Sequence, residues 1–160
     1  MSDCIDALIT ANIKATLQTV TIANGYNTDC GTVEEKRSLF RMPDDNKPFT
    51  MLEKLPHDPE NDYQYSQDDQ LKYMIYYFNQ QDDLANNAQP LQYTDRNVAA
   101  DFQKALMVDR TRGGYAQNTT IQTHAQGMYL SADENIAIPC TWMIVIVDRQ
   151  INADNPYELA

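Results

Sequence analysis

Apolar residues near the start of the chain recur at helical spacing: Ile5, Leu8, Ile9, Ile13, Leu17 and Val20. Steps of three and four residues place them on one side of a helix from residue 2 to about residue 23. Ser2 or Asp3 is the expected cap at its start. Asn24-Gly25 is the expected stop, because both residues tolerate the left-handed backbone of a C-terminal cap. A second stripe, Val98, Phe102, Ala105 and Leu106, predicts another helix, opened by Thr94-Asp95 and ending near Val108.

The remaining apolar segments read as strands. One lies around residues 29–39, its limits blurred by Cys30-Gly31 and by the charged run Glu34 to Arg37. Residues 48–55 alternate, with Phe49, Met51 and Leu55 on one face and Thr50, Leu52 and Lys54 on the other. Residues 70–79 are rich in tyrosine, isoleucine and phenylalanine, which suit a pleated surface. A strand over residues 119–130 is expected to break near Gly127. The last, residues 136–148, is apolar on both faces from Trp142 to Val147, which predicts a central strand or one lying under an interface. Pro139 confines its early part to an edge or bulge. Polar turns fall at residues 42–47 and 133–135, and polar connections at 56–69 and 80–91, so that Asp44-Asp45, Asp68-Asp69 and Asp82-Asp83 are expected in loops. The order α-β-β-β-α-β-β predicts an α+β fold with a mostly antiparallel sheet and two helices packed on one face. Residues 1–150 form a single domain in this reading, followed by a polar tail over 151–160.

Composition narrows the function. The 160 residues carry 23 acidic and 12 basic side chains, a formal net charge of −11 at pH 7. That balance opposes a nucleic-acid grip, which needs a basic footprint. Cys4, Cys30 and Cys140 are an odd number without metal-ligand spacing, so a reducing compartment and no disulfide framework are expected. The start of the chain has no cationic segment before an apolar core, and the longest apolar run, Met143 to Val147, is too short to span a bilayer; neither a signal peptide nor a membrane segment is expected.

Candidate chemistry is sparse. His57 sits in a Pro/Asp turn, and His124 has no acidic neighbour close in sequence. The group His57-Asp58-Pro59-Glu60 has ligand-type side chains, but nothing completes a coordination shell. The paired aspartates lack the glycine and terminal glutamate of a calcium loop. Gly113-Gly114 follows a helix and lacks the Lys-Ser/Thr ending of a phosphate loop, which leaves a backbone reversal. No catalytic residue, cofactor or metal site is expected.

The segment Asp109-Arg110-Thr111-Arg112-Gly113-Gly114-Tyr115-Ala116 joins the second helix to the late strands and sets two arginines in an acidic chain. Asp109 lands near the buried stripe of the helix, so it is expected to bond the following turn or pair with Arg110 or Arg112. This segment, the stretch Ala23-Asn24-Gly25-Tyr26-Asn27-Thr28, the proline-led strand Pro48-Phe49-Thr50-Met51-Leu52 and the late Asn155-Pro156-Tyr157 together resemble the tail terminator (minor tail) proteins of long-tailed bacteriophages, over nearly the whole chain.

The resemblance implies a structural protein of the virion and not an enzyme. Its subunits would close into a homo-oligomeric ring, six copies in such proteins, capping the head-proximal end of the tail tube. The ring would end addition of tube subunits and present a docking surface to the head–tail connector. Its partners would be the tail tube protein and the connector, and the subunit would pass through the host cytoplasm during assembly. DNA would traverse the lumen without specific binding, and acidic residues facing inward would keep it from adhering. In such a ring Arg110 and Arg112 form a cationic spot facing an acidic loop of a neighbour, either Asp82-Asp83 or Asp68-Asp69. Tyr115, with Tyr73, Tyr76 and Tyr77, would suit the contact surface, although core packing of the strand explains the last three equally well. Two readings of the arginines stay open: contact with a neighbour, or with carbonyls and carboxylates of their own subunit. Other functions also stay open: a head–tail connector, a tail-tube subunit, or a small intracellular enzyme or ligand-binding domain.

Overall fold

The computed structural model describes residues 4–36, 48–56, 68–78, 91–130 and 137–150. Among them are two α-helices, α1 (Ile5–Gln18) and α2 (Leu91–Val108), and five strands: β1 (Thr32–Glu35), β2 (Phe49–Lys54), β3 (Asp68–Phe78), β4 (Asn118–Leu130) and β5 (Ala137–Gln150). The strands form one sheet in the order β1-β2-β3-β5-β4. β1 and β2 are parallel, and every other neighbouring pair is antiparallel. The α+β class, the mostly antiparallel sheet and the α-β-β-β-α-β-β order match the sequence expectation.

The stripe of α1 works as its spacing dictates, with Ile5, Ile9, Ile13 and Leu17 all buried. The helix stops at Gln18, short of the expected residue 23. Thr19 N–H and Val20 N–H donate to Thr16 and Leu17 carbonyls, tightening the last turn to i→i+3 bonds, and a short 3₁₀ turn, Ile22–Asn24, follows. Gly25, at φ 83°, closes that turn, so Asn24-Gly25 acts as a stop one element later than expected. The N-cap is Cys4, without a side-chain cap bond; Ser2 and Asp3 lie outside the described residues. Asp6, in the first turn of α1, instead pairs with Lys54 at the end of β2 and with Arg149 near the end of β5, pinning the helix start to the sheet.

α2 begins at Leu91, so Thr94 and Asp95 lie inside the helix rather than capping it. A cap contributes only about 1 kcal/mol, and tertiary packing overrides it easily. Its buried residues Val98, Ala99, Phe102, Ala105 and Leu106 meet α1 and the near face of the sheet. That face supplies Leu52, Leu71, Tyr73, Ile75, Tyr77, Met143, Val145 and Val147. Tyr77 meets Phe102 edge-to-face, with ring centroids 6.0 Å apart. The Tyr73 hydroxyl lies 3.0 Å from Thr10 Oγ1, and burial, only partly offset by that bond, pushes its pKa up to about 12. Tyr73 and Tyr77 are therefore core residues, not contact-surface ones. β5 lies inside the sheet, between β3 and β4, as its two apolar faces predict.

The sheet has a second apolar cluster on its other face: Phe49, Met51, Phe78 and Cys140, with Tyr76, Tyr129 and Trp142 packed against it. Tyr129, near the end of β4, stands edge-on to Tyr76 at 5.2 Å and to Phe78 at 5.7 Å, although β5 separates β4 from β3 in the sheet. The far end of the β4–β5 hairpin must therefore curl over this face. Two devices permit the bend. The register shifts between Ile121 and Thr123, a bulge at Gln122. Gly127 remains paired with Cys140, and a Cβ there would lie 2.8 Å from Trp142 Nε1. The break expected near Gly127 does not occur: β4 runs unbroken to Leu130, the register shift lies at Gln122, and the glycine makes room for the tryptophan.

Two further expectations meet the register. Asp68 and Asp69 open β3, opposite Gln150 and Arg149, and are not loop residues. β3 pairs with β5 only as far as Thr141, so Pro139 sits where β5 pairs with β4 alone, as a residue lacking an N–H requires. The expected turns at 42–47 and 133–135, the bulk of the connections at 56–69 and 80–91, and the tail at 151–160 lie outside the described residues. No described helix is long and apolar enough to cross a membrane.

Candidate functional site

The turn between α2 and β4 is built by its own side chains. Asp109 Oδ1 accepts from the Thr111 N–H at 3.0 Å and the Thr111 hydroxyl at 2.8 Å, and its Oδ2 accepts from the Gly113 N–H at 2.6 Å. This is the bonding to the following turn that its position predicts. Arg112, Gly113 and Gly114 follow at φ 50°, 73° and 89°, three left-handed residues in succession that reverse the chain. Glycine adopts such angles freely; arginine does so at a cost on the order of 1 kcal/mol, so other contacts must hold it.

Those contacts are inside the subunit. Arg112 has 0% of its surface exposed and is the largest fully buried side chain among the described residues. Its Nε donates to Thr119 Oγ1 at 3.1 Å and its Nη1 to Asn12 Oδ1 at 3.4 Å, while Nη2 donates to the Leu106 carbonyl. Thr119 in turn donates to the Arg110 carbonyl at 2.7 Å. One guanidinium thus joins α1, the end of α2 and the start of β4. The Leu106 carbonyl is among the last four of α2, which lack helical N–H partners, and a cation there also complements the helix dipole. Burial lowers the arginine's pKa, partly countered by the Asp109 charge. Of the two readings open for the pair, contact within its own subunit describes Arg112, which has no surface to present to a neighbour. Arg110, two residues earlier, is exposed. Tyr115 is half-buried against the main core. Asp82 and Asp83 lie outside the described residues.

Burial alone would raise the Asp109 carboxyl, but the Thr111 hydroxyl, the Gly113 and Thr111 N–H groups and the Arg112 charge outweigh it and hold the pKa below the usual carboxylate value. A carboxyl depressed by folding adds stability at pH above its unfolded pKa, about 4, and loses it as the pH falls through the folded value. Asp109→Asn is therefore expected to be less stable than the wild type at pH 7, and the gap should close on acidification below about pH 4. Urea unfolding midpoints across that range check this; a gap independent of pH would remove the charge from the account.

A second carboxylate, not singled out from the sequence, ties the loop after α1 to α2. Asp101 is 3% exposed and accepts from Asn27 N–H at 2.8 Å, Asn27 Nδ2 at 3.2 Å, Thr28 N–H at 2.9 Å and the Thr28 hydroxyl at 2.8 Å. Its spacing from Val98 and Phe102 placed it on the inward stripe, and an acid there signals donors facing it.

Among the described residues, the other reactive groups do not assemble into a catalytic set. His124 is exposed on β4, and His57 lies outside the described residues. Cys30 is buried and its thiol is pushed up to about 11 by that burial and by the Asp29 charge, which removes the thiolate at neutral pH. On the second face Glu53 meets Lys36 at 2.6 Å, and Lys36 lies over the Tyr129 ring at 5.8 Å. Burial, with Glu53 beside it, raises the pKa of Tyr76; burial would lower Lys36, but Glu53 and Tyr129 reverse that and raise it. Both shifts move the groups away from neutral pH, where proton transfer needs them. Among the described residues, no cluster of three metal-ligating side chains occurs.

The sheet ends in two unlike edges. β1 has four residues and bears Glu34 and Glu35, both exposed. β4 has thirteen residues, Asn118–Leu130, without a single Asp, Glu, Lys or Arg, in a chain where such residues make up 22%. Among the described residues neither outer edge has a partner strand. Proteins ordinarily guard an exposed edge with charge, proline or brevity; β1 is guarded by two of these, whereas β4 has only its bulge. No known family matches the chain, and no curated protein does.

Proposed function

We propose that this chain is a tail terminator of a long-tailed bacteriophage, a structural subunit that closes into a ring of six on the head-proximal end of the tail tube, ends tube growth and receives the head–tail connector. Beside the sequence resemblance, one observation carries the reading: among the described residues the sheet ends in two unlike edges without a partner strand, the short acidic β1 and the long uncharged β4. A ring closed head-to-tail needs two unlike, complementary surfaces on every subunit. A net charge of −11 suits a conduit for DNA, since acidic walls repel phosphates. The work is done by shape and needs no cofactor.

The test is tube length. Tail-tube subunits of the same phage, assembled in vitro with increasing amounts of this protein and no added cofactor, are expected to give progressively shorter tubes in electron micrographs. Tubes equally long with and without it would exclude the capping role. Incorporation all along the tube would instead identify a tube subunit.

A further inference from the structure

We propose that the start of β4, with Arg110 beside it, receives β1 of the next copy of this chain, continuing the sheet from subunit to subunit. The inference rests on the ring reading and specifies the contact that closes it. Four observations carry it.

The first is direction. β1 and β2 run the same way, and each later neighbour reverses, so β4 runs opposite to β1. Placing the next copy beside the first without turning it over therefore brings β4 and the neighbour's β1 together antiparallel, the pairing whose hydrogen bonds run straight across.

The second is length. The bulge at Gln122 leaves four residues, Asn118 to Ile121, in the first run of β4, and β1 has four residues, Thr32–Glu35. The third is the pattern of faces. Val33 is buried on the helix side of the sheet with the main core, as are Thr119 and, in part, Ile121. Side chains directly opposite one another share a face, so Val33 must stand opposite Thr119 or Ile121, and the half-exposed Ile121 would gain an apolar neighbour.

The fourth is charge. In an antiparallel pair the start of one strand meets the end of the other. Arg110 is held at the start of β4, its carbonyl accepting from Thr119 at 2.7 Å, and its side chain is exposed. The end of β1 bears the exposed Glu34 and Glu35. The cation of one copy therefore lies beside the acids of the next, a pairing that steers approach and fixes orientation. Pairing β1 with β1 would instead bring two acidic strands together without Arg110 between them. Arg110 thus keeps the contact role its charge suggests, with Glu34 and Glu35 of a neighbour as its partners.

The experiment combines charge exchange with cross-linking, on free protein and on protein bound to tail tubes. Arg110→Glu alone and Glu34→Arg with Glu35→Arg are each expected to remove the ring from sedimentation profiles and from tube ends, with the circular dichroism spectrum unchanged. Uniting all three substitutions in one chain should restore the ring. The variant Thr120→Cys with Glu34→Cys joins two exposed residues on the same sheet face, and mild oxidation should give a ladder up to six subunits. Rings that persist in both charge variants, together with no ladder, would overturn the edge contact and leave the terminator reading standing. Wild-type protein that forms no ring, free or on tubes, would sink both.

Discussion

Gly31→Ala is expected to destabilise the protein by about 4 kcal/mol or more, or to prevent folding. Gly31 sits at φ 65°, directly before β1, and a Cβ there would lie 1.6 Å from the Pro48 carbonyl oxygen and 2.3 Å from its carbon. Both are backbone atoms and cannot swing aside. The same Pro48 oxygen accepts from Thr32 N–H, the bond that starts the parallel β1–β2 pair, and Thr50 donates to the Cys30 carbonyl at 2.7 Å across the same joint. Any shift that relieves the clash therefore breaks the pairing. Gly25→Ala separates clash from backbone strain, since Gly25 has φ 83° with nothing within 4 Å of its Cβ position. It should cost only about 1 kcal/mol. Urea unfolding of the two variants side by side checks the difference; equal losses would refute the steric account.

Arg112→Ala is expected to cost about 3 kcal/mol. It removes the largest fully buried side chain among the described residues and strips a donor from the Leu106 carbonyl, Thr119 and Asn12 at once. Arg112→Lys should recover little, because one ammonium cannot span three acceptors held by a planar fork. Denaturant midpoints measure both. A loss below about 0.5 kcal/mol for the alanine variant would place the side chain at the surface. Reversing the buried Arg112 is expected to disrupt the fold, so of the pair only the exposed Arg110 can test the proposed subunit contact.

The elements were legible because their signals are local. The 5-9-13-17 stripe and the 98-102-105 stripe each report a single buried face. The two-sided apolar run Trp142 to Val147 marks a strand flanked on both sides. The joints were not legible, because each depends on chain segments distant in sequence. Gly31 blurred the first strand on paper, yet its reason is the backbone at Pro48. The interruption expected at Gly127 is absent, because a glycine packed against Trp142 stays in register; the bulge at Gln122 has no glycine or proline to announce it. Arg112 suggested a surface cation since charges usually face water, and only the convergence of residues 12, 106 and 119 turns it inward. Asp101 is the converse case. Its place on the α2 stripe was written in the spacing, while its donors at Asn27 and Thr28 come from the loop after the first helix.

The role proposed for this chain is to close a collar by shape, without performing a reaction. Cryo-electron microscopy of the purified protein mixed with tail tubes tests it most directly. The expected image is a single closed ring of six subunits seated at one end of each tube, sharing its axis. Bare tube ends beside a lone globule, with a small molecule held in a cleft of that globule, would contradict it.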